Sequence, residues 1–327
     1  MLGIELAPEE PLGEVAALGA AAEAEGFDAA LVSCHYNNRD PMLAAQRVAE
    51  ETATIRVGPA AANPYETHPV KLAGSVATLA EAASGRTLCG LAPGDRSTLS
   101  NLGIEQDRPL RRVLETMRVA RQLWAGERVS HDGTFVARDA GLNFDAEAVP
   151  VYVGAQGPDM LRMAAKHADG ALVNASHPRD VSWAVDRIAE GNAERPAERG
   201  DFETVAYAVT SVAEDGDAAR AEARFPVAFV AAGAADPVLD RHDVDREAAA
   251  RVAAAVEAGE FRTAAERVTP AMLEAFCVAG TPAEVADGLS ALLRDVDGLV
   301  AGWPLGPDPA AAIRLLGEAL DPVRPER

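Results

Sequence analysis

Ala29-Ala30-Leu31-Val32-Ser33-Cys34-His35-Tyr36-Asn37-Asn38-Arg39-Asp40 is a short apolar run that opens abruptly into hydrogen-bonding residues. Val151-Tyr152-Val153-Gly154-Ala155-Gln156-Gly157-Pro158 repeats the transition further along. In a parallel α/β barrel, a buried strand that ends in small and polar residues marks the edge where ligands and catalytic groups gather. Similar short runs lie at residues 3–6, 55–61, 88–91, 171–174, 205–212 and 299–303. They are almost continuously apolar, which suits parallel strands covered on both faces and not alternating, half-exposed ones.

The segments between these runs have helical period. Ala73, Val76, Ala77, Ala80 and Ala83 form one apolar stripe, closed by Gly85, and Leu110, Val113, Leu114, Met117 and Trp124 form another, closed by Gly126. Thr281-Pro282-Ala283-Glu284 reads as a capping box with proline at the first helical position, and Asp308-Pro309 starts the last helix in the same manner. Eight strands alternating with helices predict an α/β fold of the (β/α)8, or TIM-barrel, type; a doubly wound sheet would usually have fewer strands. The stretch between the seventh and eighth runs is far longer than a barrel crossover, so an insertion of extra helices is expected there, including 248–257 and 263–266. A second excursion spans 131–149.

Composition narrows the function classes. The chain has 327 residues, 48% of them hydrophobic but only 5% aromatic, so its core must be built from Ala, Val and Leu. No apolar run is long enough to span a membrane, and the first residues enter a strand with no basic leader, so a cytoplasmic protein is expected. The formal charge is −21, and Lys71 and Lys166 are the sole lysines. Acidic excess with scarce lysine resembles halophilic proteins, whose hydrated surfaces stay soluble in salt. Nucleic-acid binding is not expected, because phosphate contacts need a basic patch. Cys34, Cys89 and Cys277 show no CxxC spacing and read as reduced thiols, and no His/Cys cluster suggests a metal.

Several blocks can carry chemistry. Glu5, between Ile4 and Leu6, is a carboxylate in an apolar run, costly unless paired or protonated; it is either a partnered strand residue or an acid whose pKa burial raises. His35 to Asp40 is either a surface loop with Asp40 capping a helix or a holder of a polar ring. Gly154 to Pro158 is either a plain strand-to-helix turn or a place where backbone meets a planar ligand and free N–H groups face an anion. The loops containing Asp95 and Thr98, and Asn174-Ala175-Ser176-His177-Pro178, have similar character. His131 and His242 lie in polar surroundings and are expected to be exposed; His68 and His167 read as structural.

Together these blocks resemble the methylenetetrahydromethanopterin reductases of the bacterial luciferase-like superfamily. The segments that carry the resemblance are Gly3-Ile4-Glu5, His35 to Arg39, Val57-Gly58-Pro59, Gly90 to Asp95, Gly154 to Pro158, Asn174 to Pro178, Gly280-Thr281-Pro282, Val300-Ala301-Gly302 and Leu305-Gly306-Pro307. The resemblance implies one luciferase-like TIM-barrel domain over residues 1–327, coenzyme F420 as reduced deazaflavin hydride carrier, and reduction of a methylene group bridging two nitrogens of a tetrahydropterin. It implies that Glu5 is the acid that opens the bridge and that Gln156 orients the reacting groups. His35, Asp95, Thr98, Gly154, Ala155, Gln156, Gly157, Asn174, Ala175 and Ser176 would line the cofactor pocket. Ala60, Ala61 and Asn63 stand where the family has a bulge with a non-prolyl cis peptide under the deazaflavin; Cys34 stands where it usually has Asp. A homo-oligomer, dimer or tetramer, is implied as well. The sequence leaves tetrahydromethanopterin and tetrahydrofolate both open. A flavin- or NAD(P)H-linked reductase, or a catalytically weakened cofactor-binding protein, remains the alternative.

Overall fold

The structure, a computed structural model, describes residues 1–323. Eight parallel strands run in spatial order β3-β2-β1-β11-β9-β8-β7-β4. They are β1 (Leu2–Leu6), β2 (Ala29–Ser33), β3 (Arg56–Ala60), β4 (Cys89–Leu91), β7 (Val151–Ala155), β8 (Gly170–Asn174), β9 (Glu203–Val212) and β11 (Gly298–Leu305). Parallel bridges Val57 to Thr87 and Ala62 to Leu91 join β3 to β4 and bring the sheet round into a nearly closed barrel. That seam needs residues without side chains. A Cβ on Gly58 would lie 1.9 Å from the Leu88 carbonyl oxygen, and one on Gly90 2.3 Å from that of Pro59, so only glycine lets the two backbones approach so closely.

Helices cover the barrel. They are α1 (Leu12–Ala24), α2 (Pro41–Glu50), α3 (Pro69–Ala82), α4 (Arg96–Asn101), α5 (Pro109–Trp124), α6 (Pro158–His167), α7 (Pro178–Asn192), α13 (Pro282–Leu293) and α14 (Pro309–Leu320). Their starts follow the sequence signals. Asp40 accepts from the Met42 and Leu43 N–H groups, the capping alternative for that residue, while Thr281 and Glu284 complete the expected capping box. The stripe Ala73, Val76, Ala77, Ala80 and Ala83 is buried, as are Val113, Met117 and Trp124.

Three apolar clusters result. The largest lies between strands and helices and is mostly Ala, Val and Leu. A smaller one fills the barrel interior with Ala29, Leu31, Ala60, Leu88, Tyr152, Leu172, Val205 and Val300. The third belongs to the insertion between the seventh and eighth barrel strands, which holds α8 (Gly216–Gly233), α9 (Asp236–Arg241), α10 (Arg246–Glu257), α11 (Phe261–Glu266) and α12 (Pro270–Phe276) around Val227, Val252, Met272 and Phe276.

Two elements were not expected. The excursion before β7 is an antiparallel hairpin, β5 (Val129–Asp132) and β6 (Val136–Ala140), and β10 (Val278–Gly280) adds a short strand beside the end of β9. Among the described residues no helix is long and apolar enough to cross a membrane. The hairpin is tied down by one carboxylate: Glu115 of α5 accepts from Thr134 N–H and Oγ1, each at 2.7 Å, and pairs with Arg111 at 2.6 Å and His131 at 3.0 Å. Although burial opposes its charge, these donors win and hold Glu115 at about 2, below its ordinary 4.5.

A depressed carboxyl pKa stabilises the fold above the unfolded value and loses that contribution as pH falls through the folded one. With the exposed Arg111 partner screened by solvent, Glu115→Gln is therefore expected to cost about 1–2 kcal/mol near pH 7. In denaturant titrations at several pH values, the gap between wild type and variant should narrow as pH falls from about 4.5 towards about 2. A gap independent of pH would mean that shape, not charge, holds the hairpin.

Candidate active site

Because all eight barrel strands are parallel, their C-terminal ends share one rim. Glu5, Cys34, His35, Ala60, Ala61, Asp95, Gln156 and Asn174 all lie at or just beyond a strand end, so the topology alone brings them to that rim. Glu5 faces inward: in register it pairs with Leu31, which belongs to the interior cluster, and cross-strand partners project to the same side.

Two donors meet its carboxylate. The Trp303 backbone N–H donates to Oε2 at 2.7 Å, and the Tyr207 hydroxyl hydrogen-bonds the same group. Gly302 leaves the space: a Cβ there would lie 3.3 Å from Glu5 Oε2 and 3.2 Å from the Tyr207 ring. The surrounding protein raises the Glu5 pKa, and this desolvation outweighs the opposing pull of Tyr207, of the Trp303 N–H and of the His35 charge. Glu5 as a residue is nevertheless only half-buried. Tyr207 is pushed well above 10 by its own burial and by the Glu5 charge, so it stays a phenol and a donor. Its role was not read from the sequence. The available signal was a tyrosine among small residues in the seventh run, whose hydroxyl must find a partner when buried.

Small residues gather at the rim ends of β3, β4 and β7, the last of these lying four strands round the barrel from β1. The Ala60–Ala61 peptide is cis, as the family resemblance implied. Directly after it, Ala62 N–H donates to Gly90 O at 2.9 Å and Ala62 O accepts from Ala92 N–H at 2.9 Å, which fixes the turn to the end of β4. A Cβ on Gly154 would lie 3.0 Å from that of Ala92 and 3.8 Å from that of Ala61. Ala61, Ala92 and Gly154 thus form one surface that presents backbone to a ligand. Cys34 sits beside Ala60 and within electrostatic reach of Cys89 and Glu5; burial raises its pKa far above that of a free thiol, and it is neutral and unreactive.

The remaining residues differ in what they leave free. Gln156 and Gly157 are exposed, and the Gln156 amide bonds no other described residue. Gly157 caps α6 through its backbone, with Pro158 following. Ala155 and Ala175 are buried, and Asn174 is exposed. Ser176 Oγ accepts from Val209 N–H at 3.0 Å, and Asp95 accepts from Thr98 N–H at 2.8 Å to cap α4. The Asn63 amide is occupied by its own turn, accepting from Tyr65 and Glu66 N–H and donating to Glu66 Oε1 at 2.6 Å. His35 Nδ1 lies 2.8 Å from Asn37 Oδ1.

His242 is not exposed as expected but buried, with Nε2 2.7 Å from Asp180 Oδ2. Arg241 bonds the other oxygen of Asp180, and His177 meets the His242 ring at 4.9 Å, so the group fastens the insertion to the start of α7. A groove of about 620 Å³ runs between α3 and residues 137–144, but it lies on the helix layer and includes none of the rim residues. No group of three or more His, Cys, Asp or Glu among the described residues could hold a metal ion.

Residues 2–296 match the family model for luciferase-like monooxygenases. A 5,10-methylenetetrahydromethanopterin reductase from Archaeoglobus fulgidus is 38% identical over 98% of either chain, and one from Methanolobus tindarius is 37% identical over 97% of this chain and 98% of its own. A coenzyme F420 dependent tetrahydromethanopterin reductase from Methanopyrus kandleri superposes with a TM-score of 0.89 at 36% identity, over 98% of each chain.

Tyr207→Phe removes a hydrogen bond that favours the charged form of Glu5, so the Glu5 pKa should rise further. A bond to a charged group is typically worth ~1.5–3 kcal/mol, which corresponds to roughly one to two pH units. An infrared titration of the carboxyl band, with Glu5→Gln as blank, reads the shift. A downward shift would mean that Tyr207 favours the neutral acid.

Proposed function

From the premise that the chain belongs to the luciferase-like family and, within it, to the 5,10-methylenetetrahydromethanopterin reductases, we propose that it reduces 5,10-methylenetetrahydropterin to the 5-methyl form with coenzyme F420. The observation that carries this reading is Glu5: a carboxyl of raised pKa at the barrel rim, held by two donors and placed across from a wall of small residues. The wall suits a planar ring system, because Ala61, Ala92 and Gly154 close together carry no side chain larger than a methyl group. Coenzyme F420 supplies the hydride when bound.

The chain's own residues do the rest. Glu5 gives its proton to the substrate nitrogen that leaves the bridging carbon. That C–N bond breaks, its electron pair stays on the protonated nitrogen, and the carbon becomes an iminium on the other nitrogen. The hydride then completes the methyl group, so one proton and one hydride are consumed. The Trp303 N–H and the Tyr207 hydroxyl steady the carboxylate that Glu5 becomes, as preorganised donors that need no reorientation. Gln156, with its free amide, orients the reacting groups. The backbone N–H groups at the start of α6, beside the exposed Gln156 and Gly157, would hold the anionic arm of the cofactor, with the loops at Asp95–Thr98 and Asn174–Ser176 contributing to the same pocket.

The direct experiment follows oxidation of reduced F420 spectroscopically with methylenetetrahydromethanopterin and, separately, methylenetetrahydrofolate. Reduced FMN and NADPH replace F420 in parallel. Turnover with F420 and at least one pterin is expected; turnover only with flavin or nicotinamide would overturn the reading. Glu5→Gln keeps the shape but has no proton to give, and kcat is expected to fall by ~10²–10⁴ while F420 affinity is retained. Undiminished turnover in the folded variant would assign the acid elsewhere.

A further inference from the structure

The insertion carries aromatic rings that its own core does not use. Phe225, Phe229 and Phe261 are 41%, 40% and 44% exposed. Phe225 and Phe229 are four residues apart on α8 and so share a face, whereas Ala223, Val227 and Ala231 of the same helix are fully buried. The three rings contact one another, with Phe225–Phe229 centroids 5.2 Å apart and Phe229–Phe261 5.4 Å. Phe225 also meets Trp303 edge to face at 6.0 Å, and Trp303 is the residue whose N–H holds Glu5. The rings of the insertion thus continue to Trp303, the residue whose backbone N–H binds the proposed acid.

The chemistry of the substrate says what such rings would take. Glu5 must face the leaving nitrogen, and in a methylenetetrahydropterin that nitrogen carries an aryl ring. The group lying next to the acid, on the side away from the bridging carbon, is therefore a flat aromatic one. We propose that Phe225, Phe229 and Phe261 form the shelf on which that arylamine ring packs, which makes them determinants of substrate affinity and not of the chemical step. The inference rests on the reductase reading above. Rings in offset or edge-to-face contact add attraction beyond the area they bury, and a shelf on the insertion can hold the aryl arm without disturbing the barrel that positions the acid.

The test uses full-length wild type, the double variant Phe225→Leu/Phe229→Leu and the aromatic control Phe225→Tyr. KM and kcat are measured with methylenetetrahydromethanopterin, F420 affinity by fluorescence, binding of the 5-methyl product by calorimetry, and mass by light scattering. The Leu variant should raise KM and weaken product binding by about tenfold, with kcat within about twofold and F420 affinity unchanged; Phe225→Tyr should stay close to wild type. An active wild type whose Leu variant keeps its KM would overturn the shelf and leave the reductase reading standing. A change of mass with KM unchanged would make the rings a contact between copies and overturn it equally. A wild type that neither turns over nor binds any pterin would overturn both.

Discussion

The carboxyl of Glu5 sits in a strand whose other residues are apolar, and among the described residues two donors, a backbone N–H of β11 and a phenol of β9, meet its ionised form. A lone buried carboxylate is strongly disfavoured, and a fully satisfied one would be a weak acid-base group locked in its charged state. The barrel stops between these limits. Desolvation raises the pKa, while Tyr207 and Trp303 keep the charged form accessible. The compromise requires β1, β9 and β11 to hold their relative positions, and it requires Gly302 to stay bare beside Oε2. The bonds that tie these strands together are thus the conditions that set the Glu5 pKa, on which its proposed role as an acid depends.

The opposite end of the barrel uses similar residue types to another end. There Glu203 accepts from the Tyr152 hydroxyl, and burial and the neighbouring carboxylate raise the Tyr152 pKa. Both residues bond into the strand ends that plug the N-terminal side, the part of such barrels that serves stability. One Tyr–Glu pair faces a wall of alanine and glycine at the C-terminal rim; the other closes the floor. Chemistry follows from what lies across from the pair and not from the pair itself.

The strands were legible because burial on both faces leaves near-continuous apolar runs, and the helix starts because Asp40, Thr281 and Asp308 have local reasons to be where they are. Glu5 was legible for the same reason in reverse, as a carboxylate out of place. What escaped depends on distance along the chain. His242 looks like a surface histidine until Asp180, 62 residues away, is placed beside it. The β5–β6 hairpin is mixed in polarity and owes its place to Glu115, whose partners Thr134 and His131 no local pattern announces. Tyr207 lay inside a correctly read strand, but its importance depends on register: it stands opposite Val300, two residues before the Gly302 that makes room for Glu5.

The insertion has its own apolar cluster, separate from those of the barrel. The two still meet: Val209 of β9 packs against the insertion's cluster, and Phe225 on the exposed face of α8 meets Trp303 of β11. The polar group of Asp180, Arg241 and His242 adds a specific tie to these apolar contacts and holds the insertion in register on the rim. Glu5 thus takes its donors from barrel strands held in fixed register, whereas the aromatic surface beyond Trp303 belongs to helices gathered round a cluster of their own.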